Sequence, residues 1–334
     1  MCDTRVQVKT KVDELKDLQA LLREYDVTAS QTDYILSPEQ AIQSVEKLLQ
    51  LVTTIFYYNN YNPPERLFMT TLNLAFSTCP NDTFIFHALL HHCIDTVNLR
   101  FIPHMHDVES LNKKAFFKTF HISKLSFYAY FKLKQTYKIL DSGSALGYGC
   151  GPLLVGRSSN LLLSEAKVAV PGEYTTAYLL LKLWNPEIRN VEITRFDNIL
   201  EGVRIGRYDA GLIIHEGRFI FPEYGCVQII DLGEWWEGKT GLPIPLGCIA
   251  VRKDPPAIDL KDDIESVLRS SIQYALQNKN ASREFVKLHA QELDDQVIDG
   301  HIDLYVNNFT LSLGDTGRKA VQTLEEMARW KSIL

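Results

Sequence analysis

Near the middle of the chain an apolar run, Gly211 to Ile214, stops abruptly at His215, Glu216, Gly217 and Arg218. The run has the length of a short buried strand, so the histidine and the acid fall at its carboxyl end. In open α/β sheets that end is where ligands bind and chemistry is done. Imidazole titrates near pH 6.5, which suits it to accept or deliver a proton in neutral solution. The plainer alternative is a histidine that only hydrogen-bonds a neighbouring loop, and the segment alone leaves both open.

Three other stretches place small or hydroxyl side chains where a strand gives way to a helix. They are Pro80-Asn81-Asp82-Thr83, Lys124-Leu125-Ser126, and Gly172 to Ala177. Helix starts carry unpaired backbone N–H groups and the positive end of the dipole, and so favour anions such as carboxylates. A ligand between two lobes would touch all four junctions. Asn81 and Asn112 are polar groups near helix starts in the first lobe, for which capping is the plainer role.

Positioning these residues requires alternating strands and helices, and the pattern supplies them from Met69 onward. Leu72–Phe76 alternates as a strand, and a helix from Phe84 to Cys93 follows, with Asn81 or Asp82 as its cap. Strands are expected at Leu99–Val108, Pro152–Gly156, Lys167–Pro171, Val191–Thr194 and Leu246–Val251, and helices at Thr175–Trp184 and Ile199–Gly206. From Ile264 the chain reads as mostly helical. Such alternation defines an α/β protein with a parallel or mixed sheet. Two series, with a late strand returning to the first sheet, divide it into lobe 1 (69–155), lobe 2 (156–250) and a return to lobe 1 with C-terminal helices (251–334). Residues 1–68 differ: Val12, Leu15, Leu18, Leu21 and Leu22 mark one amphipathic helix, and Ser37-Pro38-Glu39 starts a second. They form an N-terminal helical extension that carries no candidate site residue.

Composition narrows the function. Of 334 residues 46% are hydrophobic and 23% charged, as in a soluble globular protein. A net charge of −6 gives no basic footprint for nucleic acid. Six scattered cysteines without a C-x-x-C pair fit free thiols in a reducing compartment. The polar N-terminus lacks an apolar signal core, and no apolar run is long enough to span a bilayer. The expectation is a cytoplasmic protein acting on a small molecule, with the oligomeric state open.

Two patterns are decoys. Gly233-Glu-Trp-Trp-Glu-Gly-Lys-Thr240 matches the phosphate-binding P-loop pattern, but the prolines at 243 and 245 follow where its helix should begin, and Glu234 and Glu237 would repel phosphate. Gly147-Tyr-Gly-Cys-Gly151 runs into a strand rather than a helix, so it reads as a loop of close backbone approach. The pairs His87/His91 and His104/His106 have metal-like spacing without a clear third ligand, and solvated histidines are expected.

Five segments together carry a resemblance: Ser77-Thr-Cys-Pro-Asn-Asp-Thr-Phe-Ile-Phe86, Lys124-Leu-Ser126, Val170-Pro-Gly-x-x-Thr-Thr-Ala177, Gly211-Leu-Ile-Ile-His-Glu216 and Gly241-Leu-Pro-Ile-Pro-Leu-Gly247. In this order they resemble the 1,4-dihydroxy-6-naphthoate synthases of the futalosine route to menaquinone, over residues 69–334. The resemblance implies a two-lobed fold like type 2 periplasmic binding proteins. It implies a lyase that cleaves cyclic dehypoxanthinylfutalosine to 1,4-dihydroxy-6-naphthoate and dihydroxyacetone, without a metal or organic cofactor. It makes His215 the proton acceptor, and Lys124, Leu125, Ser126, Thr176 and Ala177 the substrate-binding residues. The alternatives are a chorismate dehydratase-like sister enzyme and a non-catalytic carboxylate-binding protein.

Overall fold

A computed structural model describes residues 70–290 and 294–334, and these form two mixed sheets wrapped by helices. The expected helices of the N-terminal extension lie outside the described residues.

In the first sheet β1 (Thr70–Phe76) lies parallel to both β2 (Leu99–Met105) and β3 (Ile122–Ser126). Helix α1 (Pro80–Leu90) links β1 to β2, α2 (Val108–Phe116) links β2 to β3, and α3 (Phe127–Leu133) follows β3. The chain then makes β4 (Tyr137–Ile139) and β5 (Ala145–Gly147) and leaves for the second sheet. Much later β11 (Ile244–Arg252) returns, inserting antiparallel between β3 and β4 and also pairing β5. The sheet order is thus β2-β1-β3-β11-β4, with β5 beside β11.

The second sheet, ordered β10-β6-β9-β7-β8, is built from one continuous stretch. Its strands are β6 (Leu153–Gly156), β7 (Val168–Val170), β8 (Val191–Ile193), β9 (Ala210–Ile213) and β10 (Val227–Asp231). Helices α4 (Thr176–Trp184), α5 (Ile199–Arg204) and the single turn α6 (Gly217–Ile220) connect them. The chain passes between sheets at residues 148–152 and 232–243. The second passage contains α7 (Leu232–Thr240), and the fold closes with α8 (Lys261–Gln277), α9 (Arg283–His289), α10 (Asp295–Tyr305), α11 (Asn308–Leu311) and α12 (Gly314–Trp330).

Burial explains the packing. β6, β7 and β9 are buried along their whole length, as strands covered on both faces must be. All of α1 is buried, between its own sheet and the C-terminal helices α8 to α10. Local chemistry sets the helix starts. The Asp107 carboxylate accepts from the N–H groups of Glu109 and Ser110 at α2, Thr175 Oγ1 from Tyr178 at α4, and Asp231 from Gly233 and Glu234 at α7.

Several expectations change. α1 starts at Pro80 with Cys79 as N-cap, so Asn81 and Asp82 sit inside its first turn rather than capping it. Asn112 is not a cap but a fully buried residue within α2. The P-loop-like residues 233–240 are themselves helical, so their N–H groups point along α7 and form no phosphate cradle. The glycine-rich turn does make a close approach, to protein backbone: a Cβ at Gly151 would stand 2.2 Å from the Gly233 nitrogen. His87 is buried, not solvated, with its ring stacked on His91 at 4.5 Å, and burial lowers its pKa to about 4. His104 Nε2 lies 3.0 Å from Asn73 Oδ1. Among the described residues no group of three or more His, Cys, Asp or Glu side chains is arranged to hold a metal ion.

Candidate active site between the two sheets

The carboxyl ends of β1, β3, β7 and β9 open onto one cleft of about 650 Å³, open mouth included. The first sheet contributes Ser77, Asn81, Asp82, Lys124 and Ser126, and the second Thr175, Thr176, Ala177, Ile214 and His215. The walls between them are largely apolar, formed by Val108, Ala145, Pro152 and Leu246. Six of the eight residues singled out from the sequence therefore meet here. Leu125 and Asn112 do not line the cleft. Side chains alternate along a strand, so with Lys124 and Ser126 directed into the cleft, Leu125 points into the core, where it is fully buried. Asn112 lies behind Ser126 and grips it twice: Nδ2 donates to Ser126 Oγ at 3.0 Å, and Oδ1 accepts from Ser126 N at 2.9 Å.

An ion pair anchors the first-sheet side. Lys124 Nζ lies 2.6 Å from Asp82 Oδ1, and both side chains are buried. The same carboxylate accepts from Asn81 Nδ2 at 3.0 Å, Ser77 N at 3.1 Å and Ser77 Oγ at 2.7 Å. A buried charge pair tolerates removal from water only with such full hydrogen bonding. Because Asn81 Nδ2 must face the carboxylate, Oδ1 faces His301, whose Nε2 is 3.0 Å away. His301 is therefore the Nε2–H tautomer, and its buried Nδ1 has no partner. Burial first, then the neighbouring His215 and Lys124, push its pKa well down.

His215 is held differently. Its backbone φ of +56° is uncommon for any residue with a side chain. Cys79 Sγ lies 3.4 Å from Nδ1, the Phe196 ring meets the imidazole edge-on at 5.2 Å, and His301 stacks on it at 6.0 Å. Nε2 is buried and has no partner. Burial lowers the pKa from 6.5 to about 4, while Asp82 and Asp107 pull it upward and Lys124 opposes them. The imidazole is thus neutral at pH 7.

Two contacts tie the sides of the cleft together. The buried Glu109 carboxylate of α2 accepts from the N–H groups of Glu173 at 2.9 Å and Tyr174 at 3.1 Å. It packs so closely that a Cβ on Gly172 would lie 2.4 Å from Glu109 Oε2. Thr176 Oγ1 donates to the Leu246 carbonyl of β11 at 2.6 Å. Sequence reasoning missed Cys79, Glu109, His301 and the cleft-lining Tyr305. The last two lie on α10, far from every junction, and nothing local marks them.

The architecture is that of the periplasmic binding proteins. The chain superposes on a Candida albicans protein described as having the generic periplasmic binding protein fold (14% identity, TM-score 0.58, 79% of this chain and 91% of that one). It also superposes on the alkanesulfonate-binding protein SsuA of Xanthomonas axonopodis (12% identity, TM-score 0.59, 79% and 94%). A nearer likeness is protein AF1704 of Archaeoglobus fulgidus, with 34% identity and a TM-score of 0.75 over 79% of this chain and 98% of that one. Within this class residues 72–329 match the family described as menaquinone biosynthesis, and the chain belongs to that family. Relatives named 1,4-dihydroxy-6-naphthoate synthase come from Thermus thermophilus (46% identity, 77% of this chain and 93% of the relative) and Streptomyces coelicolor (40%, 76% and 91%).

Proposed function

We propose that this chain is a carbon–carbon lyase that converts cyclic dehypoxanthinylfutalosine to 1,4-dihydroxy-6-naphthoate and dihydroxyacetone. The observation that carries the reading is His215: a neutral imidazole in the wall of an apolar cleft, with one nitrogen engaged and the other buried without a partner. An imidazole that is neutral at working pH has a lone pair that can take a substrate proton. Deprotonation lets a carbon–carbon bond break, the three-carbon fragment leave and the ring become aromatic. Aromatisation supplies much of the driving force, so the protein has chiefly to orient the substrate and take the proton.

The lining suits that substrate. Apolar walls would receive the fused ring, while Ser126, Thr176 and Lys124 offer polar contacts to its carboxylate and hydroxyls. The segments bearing the two sheets act as lobes, with Glu109 and Thr176 latching the closed cleft. The five described cysteines are all free, in keeping with a cytoplasmic enzyme, and no described helix is long and apolar enough to cross a membrane.

The test is a mass-spectrometric assay of the purified protein with cyclic dehypoxanthinylfutalosine, and separately with chorismate. Formation of 1,4-dihydroxy-6-naphthoate and dihydroxyacetone in equal amounts is expected. Dehydration of chorismate would make it the sister activity, and binding without turnover of either would make it a carrier.

A further inference from the structure

Ser126 is the N-cap of α3, a place where a serine hydroxyl ordinarily turns back to accept from the helix's own N–H groups. It makes no such bond. The Tyr128 N–H, which such a cap would serve, is met instead by Thr176 Oγ1 of α4 at 3.4 Å. Ser126 Oγ is left to the cleft that it lines, and Asn112 decides in which sense it bonds there.

Backbone N–H groups only donate, so the 2.9 Å contact from Ser126 N fixes which end of the Asn112 amide is the oxygen. The other end, Nδ2, faces Ser126 Oγ at 3.0 Å and Glu109 Oε2 at 3.4 Å. Glu109 supports that orientation from the far side, because its carboxylate is an acceptor that also takes the Glu173 and Tyr174 N–H groups. An amide NH2 donates and does not accept, so Ser126 Oγ is the acceptor in this contact and keeps its own proton. Nothing among the described residues takes that proton.

The other hydroxyls of the lining are in the opposite condition. Ser77 gives its proton to Asp82 Oδ2 at 2.7 Å, Thr175 to the Gly172 carbonyl at 3.0 Å and Thr176 to the Leu246 carbonyl at 2.6 Å. Carboxylate and carbonyl oxygens only accept, so each of these directions is forced. Of the serine and threonine side chains that line the cleft, Ser126 alone among the described residues has a hydroxyl proton to offer a ligand.

We propose that Asn112, buried behind the cleft wall, is a positioning residue: by giving an amide proton to Ser126 Oγ it fixes that hydroxyl as the donor that receives the substrate's carboxylate. The inference rests on the reading of the ligand as a hydroxylated naphthoate. Thr176 Oγ1, its proton already given away, can meet only a donor such as a ligand hydroxyl. The two hydroxyls therefore differ in what they read, although the residues are chemically alike.

The test measures, by anaerobic calorimetry on the full-length protein, affinity for 1,4-dihydroxy-6-naphthoate and for 1,4-dihydroxynaphthalene, which lacks the carboxylate. Asn112→Asp keeps the shape but puts an acceptor where the donor was, so Ser126 turns its proton away from the cleft. Affinity for the naphthoate should fall about 10–100-fold, the scale of a hydrogen bond to a charged group, while affinity for dihydroxynaphthalene stays within about twofold. Ser126→Ala should show the same selective loss, and adding Asn112→Asp to it should cost little more. A further selective loss in that background would mean that the new charge, not the hydroxyl, repels the ligand, and would overturn the inference. Asn112→Asp also sets a second carboxylate beside Glu109, so it is repeated in a Glu109→Gln background, where the selective loss should persist. Equal losses for both ligands would make Asn112 a packing residue and overturn the inference, as would an unchanged affinity for the naphthoate. Turnover of cyclic dehypoxanthinylfutalosine by the parent is followed alongside. If the parent turns it over while the variants lose both ligands alike, only this inference falls; a parent that neither turns it over nor binds the naphthoate refutes the proposed function as well.

Discussion

The depressed pKa of His215 leads to a pH dependence that an ordinary histidine would not give. Burial takes the imidazole from 6.5 to about 4, which corresponds to about 3 kcal/mol against the charged form. The charged groups that act on it are Asp82 and Asp107, which raise the pKa, and Lys124, which lowers it, with His301 and Cys79 against the ring; desolvation remains dominant. At pH 5.5 an unperturbed imidazole would be about nine-tenths protonated and useless as a base, whereas this one should be about nine-tenths or more neutral. The profile of kcat/KM, measured from pH 3.5 to 8, should stay flat to about pH 5 and fall with a midpoint near 4. His215→Asn should lose the acid limb and about 10²–10⁴-fold in kcat, or roughly 3–5 kcal/mol of barrier. Stability falls over the same window and must be followed in parallel by circular dichroism. The pKa is lowered on folding, so the unfolded chain binds more protons between pH 6.5 and 4, and stability present above 6.5 is lost as pH falls toward 4. An acid limb centred near 6.5, or one that survives in His215→Asn, would refute the reasoning.

Three further outcomes follow from the same contacts. Lys124→Met strands the buried Asp82 carboxylate and should destabilise the protein by about 3–5 kcal/mol in urea unfolding, while Asp82→Asn in the same chain should recover part of that loss. Glu109→Gln turns one acceptor facing the Glu173 and Tyr174 N–H groups into a donor; at about 1–3 kcal/mol it should weaken product binding roughly tenfold in calorimetry with kcat less affected. Lys239→Ala should leave turnover within a few-fold of the parent, and calorimetry should find no ATP binding, because residues 233–240 are a helix.

Much of the frame was legible because period and punctuation carry it. The stop of an apolar run at Ile214 located the end of β9 within a residue and put His215 beyond a strand end, and Thr175 with its hydroxyl marked the start of α4. Where local rules compete, the reading slipped. Asn81 and Asp82 look like caps, but Pro80 fits the first helical position better, which moves the start to Cys79 and turns both side chains inward, Asp82 to the buried Lys124 and Asn81 to Asp82 and His301. Asn112 looked like a cap and serves as a brace for Ser126, a role visible only once α2 is laid against β3. Cys79 and His301 were silent for another reason. Their significance lies in single atoms set by partners 136 and 220 residues away in sequence, and no window along the chain contains both ends of either contact.

The insertion of β11 between β3 and β4 has a consequence for how the chain comes off the ribosome. All five strands of the second sheet lie within residues 153–231, so that sheet can close as soon as its own segment has emerged. The first sheet cannot. Until residues 244–252 are made, β3 keeps an open edge, and that strand bears Lys124 and Ser126. An unpaired edge rich in buried side chains is a template for pairing with the wrong chain. The half of the molecule that carries the ion pair is therefore the slower and more aggregation-exposed half, completed only by contacts more than a hundred residues apart. The cleft, lined from both sheets, is complete only once residues 244–252 have been made.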